Sequence, residues 1–190
     1  MSCVFEGIDV KIYTKTGDKG TTGLLYGGRV SKNSSQVELN GAVDEAQAHL
    51  GVVRAHATSE LAAICRSLEL DLWILMAEVA TQANKRDHLK PGTTLVTLAM
   101  VTHLEELIDE ISLRFDAPKE FVVPGEEPTA AFLDVARTVV RRAERQSVAF
   151  VEEVPDSLVQ IYLNRLSDLL WTLARWSEGV SLTARGALDA

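Results

Sequence analysis

Cysteine is scarce in this chain. Cys3 and Cys65 are the only two, too few for a disulfide-built scaffold, and no paired Cys or His spacing offers a structural zinc site. Histidine occurs four times, as His49, His56, His88 and His103. None of these follows a glutamate at the Glu-x-x-His spacing, which excludes the paired motifs of a ferritin-like two-metal bundle. Long apolar runs are also missing. The most hydrophobic stretch, LWILMAEVA at 72–80, follows Asp71 and contains Glu78, and falls far short of the ~20 residues that cross a bilayer. It predicts a core helix instead. Positive charge is in deficit: the formal net charge is -8 and the pI is near 5.0, so the long-range field opposes general binding to nucleic acid or to an anionic membrane surface. The opening MSCVFEGIDVKIYT lacks a basic segment followed by an apolar run, and so does not read as a secretory leader. The expectation is a cytoplasmic protein with reduced thiols, Cys65 being a small core residue.

What the chain does have suits one globular domain with a substantial core: 190 residues, 46% of them hydrophobic and 24% charged. Residues 10–36 carry Gly17, Gly20, Gly23, Gly27 and Gly28 among Thr, Lys and Ser, which breaks helical and strand periodicity and predicts an extended glycine-rich arm. From Val37 onward a 3.6-residue pattern recurs over about 37–56, 59–84, 94–115, 129–152 and 156–178. Five helices follow, with Ser59 and either Asp156 or Ser157 as candidate caps and Pro118, Pro124 and Pro128 punctuating the third gap. Short connections and helices about 30 Å long predict an all-α, five-helix bundle of antiparallel neighbours. The single domain, 1–190, divides into an arm (1–36), a bundle (37–178) and a tail (179–190). In the first helix Gly41, Asp44, Ala48, Gly51 and Ala55 share one narrow face of small side chains, where another helix can approach closely. Asp44 is the anion on that face and needs a cationic partner if it is buried.

Three segments carry candidate chemistry. YTKTGDKGTTG at 13–23 combines flexible glycines, the hydroxyls of Thr14, Thr16, Thr21 and Thr22, and the cations Lys15 and Lys19. Such a set can wrap a polyphosphate with backbone N–H groups and charge-assisted bonds. It is not a Walker A loop, and a turn-rich arm explains it equally. ARTVVRRAERQ at 136–146 places Arg137, Arg141, Arg142 and Arg145 within nine positions. At 100° per residue Arg137, Arg141, Glu144 and Arg145 share about 100° of helix surface, and Arg142 points further round. Like charges four residues apart repel, so this stripe calls for anionic partners or water, and Glu144 can pair with only part of it. YLNRLSDLLWTLARW at 162–176 adds a polar stripe of Asn164, Ser167, Asp168, Trp171 and Arg175. An interhelical hydrogen-bond network or a ligand contact both account for it, and Asp168 could simply hold an arginine.

Taken in order, YTKTGDKGTTG, GGRVSK, GAVDE, ARTVVRRAERQ and NRLSDLLWTLAR resemble the PduO-type corrinoid adenosyltransferase family, over about residues 10–178. The resemblance implies transfer of the 5′-deoxyadenosyl group of ATP to the cobalt of cob(I)alamin, with release of triphosphate, by a homotrimer of five-helix bundles. It implies an ATP site of Thr14, Lys15, Thr16, Gly17, Lys19, Thr22, Gly23 and Lys32 from one subunit. Arg141, Arg142, Glu144, Arg145 and Asn164 would come from its neighbour. It also implies a pair between Asp44 and Arg137 across the interface, and Phe121 in EFVVPG as the aromatic wall beneath the corrin. That wall would strip the axial ligand from cob(II)alamin and ease its reduction.

Cob(I)alamin is itself the nucleophile, so the family's chemistry needs no general base. Positioning and stabilisation of the departing triphosphate, with a magnesium ion on the phosphates, are the protein's tasks. A reductase and an adenosylcobalamin-dependent acceptor enzyme are the implied protein partners. A nucleotide-binding trimer that delivers adenosylcobalamin without turnover would use the same ATP residues. Two features depart from the family pattern. The Phe121 loop continues as PGEEPTAA, with Glu126 and Glu127 where Pro-Gly-Gly is common, and the tail EGVSLTARGALDA has no counterpart.

Overall fold

The computed structural model describes residues 13–188; the expectations for the first residues, Cys3 among them, lie outside these. Five long helices carry the fold: α1 (Ser35–His56), α2 (Ser59–Val79), α3 (Leu98–Ser112), α4 (Pro128–Glu153) and α5 (Val159–Glu178). A short hairpin, β1 (Thr21–Gly23) and β2 (Arg29–Ser31), pairs antiparallel with Thr22 opposite Val30. The expected five-helix bundle is present, and α1 packs between α2 and α4 while α5 packs between α4 and α3. One apolar core runs through it, from Leu39, Val43 and Leu50 of α1 to Leu163, Leu166 and Leu170 of α5.

The boundaries differ where local chemistry intervenes. The second helix stops at Val79 rather than near 84. Its last turn is succeeded by a 3₁₀ helix over Ala83–His88, because Gln82 takes an extended backbone (φ −65°, ψ 149°). The third helix begins at Leu98, capped by the Thr97 hydroxyl, which accepts from Met100 N. Ser59 is the first helical residue of α2 and Thr58 precedes it, with no side-chain cap. At the start of α5 the Ser157 hydroxyl accepts from Val159 N at 3.3 Å. Glu127, one of the two departures in the Phe121 loop, is the cap of α4, accepting from Thr129 N at 2.9 Å and Ala130 N at 2.8 Å. Burial raises its pKa, but those N–H groups and the Thr129 and Ser177 hydroxyls together hold it below the usual value. The cap therefore contributes above the carboxylate's unfolded pKa, and its contribution fades as pH falls through the lower folded value.

The arm is not simply extended. Its hairpin sits on the end of α2: Leu25 N donates to Ala80 O at 2.9 Å, and the Gln36 side-chain amide donates to Val79 O at 2.6 Å. Tyr26 stacks on His88 with ring centroids 5.1 Å apart. The 3₁₀ helix beneath it is held by Glu78, which is fully buried. Its carboxylate accepts from Arg86 at 3.0 Å, from Val96 N at 2.8 Å and from the Ser157 hydroxyl at 2.6 Å. The run 72–80 is a core helix on one side only, since Trp73 stands exposed between buried Leu72 and Leu75. The small-residue face of α1 is likewise outward. Gly41, Asp44, Ala48 and Ala55 are exposed, because the opposite stripe of Leu39, Val43, Ala46, Leu50 and Val53 supplies the core contact.

Two outcomes follow for the core. Glu78→Ala leaves an arginine, an N–H and a hydroxyl without their shared acceptor, and is expected to cost about 3–5 kcal/mol; urea unfolding followed by circular dichroism measures this. The buried Cys65 thiol is pushed up to about 12, chiefly by burial and then by Glu69. In a Cys3→Ser background it should react with a thiol reagent at pH 8 only as fast as the protein unfolds, and rapid labelling of the folded protein would contradict that.

Candidate active site

The arm forms a closed loop through its own hydrogen bonds. Arg29 Nη2 donates to Thr16 O at 2.7 Å and to Thr21 O at 3.0 Å, and also reaches the Thr21 hydroxyl at 2.9 Å. The Thr14 and Thr16 hydroxyls lie 2.8 Å apart. Lys32, on the strand side, folds its ammonium over Gly17, so closely that a Cβ at position 17 would stand 3.1 Å from Nζ. A side chain at position 17 would push the Lys32 ammonium aside by a few tenths of an ångström. Lys15 adopts a left-handed backbone (φ 59°), a strained conformation for a non-glycine residue that turns up at ligand-binding segments. Lys15, Lys19 and Lys32 are exposed and form no ion pair among the described residues. Thr22 and Gly23 line a recess with Asn40, Gly41 and Asp44 of α1. The arm thus presents three cations and several hydroxyls around a fixed turn, and Asp18, the carboxylate within that turn, forms no ion pair with them among the described residues.

The arginines of α4 do not act as one stripe. Arg141 and Arg145 are exposed, and Arg145 donates to the Arg141 carbonyl at 3.0 Å. Arg142, further round, pairs with Glu45 of α1. Arg137 donates from Nε to Asp134 at 2.9 Å. The expected pairing of Glu144 with this charge does not occur. Its carboxylate turns to α5 and accepts from the Asn164 amide at 2.9 Å, and the Asn164 carbonyl oxygen accepts from Arg165 at 2.8 Å. The polar stripe of α5 is therefore partly the interhelical network foreseen for it. Asp168 is exposed and holds no arginine among the described residues.

Within one chain no hydrogen bond or ion pair joins residues 13–23 to Arg141, Arg142, Glu144, Arg145 or Asn164. Each set is a separate anion-receptive surface. Asp44 is exposed, so it carries no unmet demand for a partner inside the chain. Within the chain Arg137 bonds to Asp134 through Nε.

A second recess, a cavity of about 530 Å³, opens where the loop between α3 and α4 faces α5. Phe121, 90% exposed, stands on its rim. The floor is Asp134, Arg137, Trp171 and Arg175. Arg175 is only 2% exposed, and its charge is met by Asp134 at 2.7 Å and Glu178 at 3.1 Å. Asp134 thereby holds Arg175 and Arg137 together, a role the sequence hides because a carboxylate three residues before an arginine is common on any exposed helix. Arg29 was also missed as a site residue. Its only signal is its place in GGRVSK, at the start of the strand that returns to Lys32.

The chain's similarity to known proteins agrees with this arrangement. Residues 12–177 match the cobalamin adenosyltransferase family. Among curated relatives, the corrinoid adenosyltransferase of Mycobacterium tuberculosis is 38% identical over 170 residues, 87% of this chain and 87% of the relative. That of Bacillus subtilis is 36% identical over 173 residues, 87% of this chain and 86% of the relative. Among solved structures, a phenylalanine-to-alanine variant of the PduO-type ATP:corrinoid adenosyltransferase of Lactobacillus reuteri, complexed with cobalamin and ATP, superposes with a TM-score of 0.78. It is 32% identical, with 88% of this chain and 93% of that chain covered. With sequence and fold in agreement over nearly the whole bundle, the chain belongs to the cobalamin adenosyltransferase family and resembles its PduO-type members.

Proposed function

We propose that the protein is an ATP:corrinoid adenosyltransferase, moving the 5′-deoxyadenosyl group of ATP to cob(I)alamin with release of triphosphate. The observation that carries this reading is the pair of half-sites. A preformed arm with the free cations Lys15, Lys19 and Lys32, and a helix face with exposed Arg141 and Arg145, suit a triphosphate in a chain of net charge -8, yet they do not meet within one chain. A homotrimer in which the arm of one subunit faces α4 of the next would complete the site. The outward small-residue face of α1 would be part of that junction, with Asp44 there to meet Arg137 of the neighbouring subunit, in place of one bond in the existing Asp134 arrangement.

In this reading Thr14, Lys15, Thr16, Gly17, Thr22 and Gly23 wrap the phosphates, and Lys19 and Lys32 add charge. Arg141 and Arg145 stabilise the charge that gathers on the departing triphosphate, where positioned cations matter most. Arg142 would have to leave Glu45 to join them. Glu144 and Asn164, already bonded to each other, form a fixed polar edge. Among the described residues there is no group of three or more His, Cys, Asp or Glu able to hold a metal, so the donor set suits a magnesium ion that arrives on the nucleotide's own phosphate oxygens. The corrin would occupy the cavity beside Phe121, whose exposed ring is available as an apolar wall.

The deciding assay supplies ATP and chemically reduced cobalamin under strict anaerobiosis. Formation of adenosylcobalamin supports the transferase, whereas ATP binding with no product leaves a delivery protein. Arg141→Ala and Arg145→Ala are each expected to lower the rate by about 10²-fold or more, with the helical circular dichroism unchanged; loss of that signal would make them structural. For Asp44→Asn the expectation is a weaker assembly, read as a smaller mass by sedimentation at low protein concentration. An unchanged mass together with unchanged kinetics would remove the pair with Arg137.

A further inference from the structure

The tail beyond α5 lies outside the family match, which ends at residue 177, yet it is joined to the loop that carries Phe121. The chain leaves α5 at Gly179, whose left-handed backbone (φ 72°) reverses its direction. Val122 and Thr183 then form an antiparallel bridge. Val123 N donates to Leu182 O at 2.8 Å, and Ala184 N donates to Phe121 O at 2.8 Å. Arg185 lies 3.5 Å from the Glu120 carboxylate. The tail is folded back on itself at this point, with Gly186 N donating to the Thr183 hydroxyl at 3.1 Å and Ala187 N to Thr183 O at 2.9 Å.

These bonds matter because of what the loop otherwise lacks. Across residues 116–126 the two bonds to the tail are the only backbone hydrogen bonds among the described residues. Pro118 and Pro124 have no N–H to offer. The ring of Phe121 is 90% exposed, so packing within the chain does not fix it either. A backbone segment with so few bonds is drawn from the low-stability end of a fold, and a group that must stand against a reacting centre needs the opposite.

We propose that the C-terminal segment Leu182–Ala184 is a positioning strap for Phe121, clamping the backbone of that residue at the rim of the cavity. The inference rests on the reading of Phe121 as the wall beneath the corrin. The strap itself need not touch the corrin. It springs from the end of α5, one turn beyond Arg175 of the cavity floor, so it ties the rim to the floor by a route that bypasses the loop's own two ends. Glu120 and Arg185 add a screened, exposed contact that contributes little energy; the two backbone bonds carry the strap.

The test separates formation of Co(I) from transfer. Ala184→Pro deletes the N–H that Phe121 O accepts, at an exposed position with no core contact, whereas Ala184→Ser keeps it. Both are compared with Phe121→Ala and with a chain ending after Val180, in the otherwise intact protein. Two rates are measured, from enzyme-bound cob(II)alamin with a reductant and from pre-reduced cob(I)alamin, together with the electron paramagnetic resonance signature of cob(II)alamin that has lost its axial ligand. Expected for Ala184→Pro and the shortened chain is a fall of about tenfold in the Co(II)-dependent rate, as suits a small misplacement of a positioned group. The axial-ligand-free signal should shrink in parallel, while the Co(I) rate and the KM for ATP stay within about twofold and Ala184→Ser behaves like the parent. Parental rates and signature in Ala184→Pro, equal falls in both rates, or a loss of helical signal in that variant would each overturn the strap. If Phe121→Ala itself leaves the Co(II)-dependent rate and the signature unchanged, the reading of Phe121 fails instead.

Discussion

Asp134 is the carboxylate on which the two halves of the bundle's working end depend. Buried between α4 and α5, it takes a guanidinium from Arg175 at 2.7 Å and a second from Arg137 at 2.9 Å. Arg175 could not occupy the interior without it, since an unpaired arginine there would carry the full desolvation penalty. Once Asp134 and Glu178 neutralise Arg175, the helices can close around it, and Trp171 and Arg137 are left facing a cavity. The polar floor of that cavity is therefore also an internal joint between α4 and α5. A neighbouring subunit's Asp44 would approach an Arg137 that is already oriented from below rather than one free in solvent.

The same economy of placement runs along α4. Its 26 residues begin on the Glu127 cap, pass Asp134 and Arg137 at the cavity, and reach Arg141 and Arg145 about one and two turns later. The groups proposed to face the corrin and those proposed to face the phosphates thus lie on one rigid rod, separated by about 1.5 Å per residue. A shift of this helix would move both together, so the spacing between them is set by backbone geometry rather than by loops. On the other side, the arm depends on the end of α2 and the 3₁₀ helix that Glu78 holds, which places its hairpin on a platform rather than on a free chain.

The helices were legible because burial imposes a 3.6-residue period that survives in the sequence, as in Leu39, Val43, Ala46, Leu50 and Val53. Their ends were less so. Val79 ends a helix because Gln82 turns extended, and nothing in the composition of TQANKRDH forbids another helical turn. The hairpin was hidden for a different reason: three-residue strands flanked by glycines have too few positions to display alternation. The arginine cluster illustrates a third limit. Helical geometry correctly set Arg142 apart from Arg141 and Arg145, but the choice of Asn164 by Glu144 is decided by which side chain α5 happens to present. The tail's pairing with the Phe121 loop was out of reach, since a two-bond bridge between residues as far apart as Val122 and Thr183 leaves no periodic trace.

Arg29 closes the turn of the arm with bonds to Thr16 and Thr21. Fixing a residue's backbone costs about 1–2 kcal/mol of conformational entropy. If the turn wraps a nucleotide as proposed, that cost falls on folding of the arm instead of on capture, and what remains to be ordered at capture is the side chains of Lys15, Lys19 and Lys32. Nucleotide affinity in such a turn is then governed less by how many contacts form than by how little disorder is left to remove.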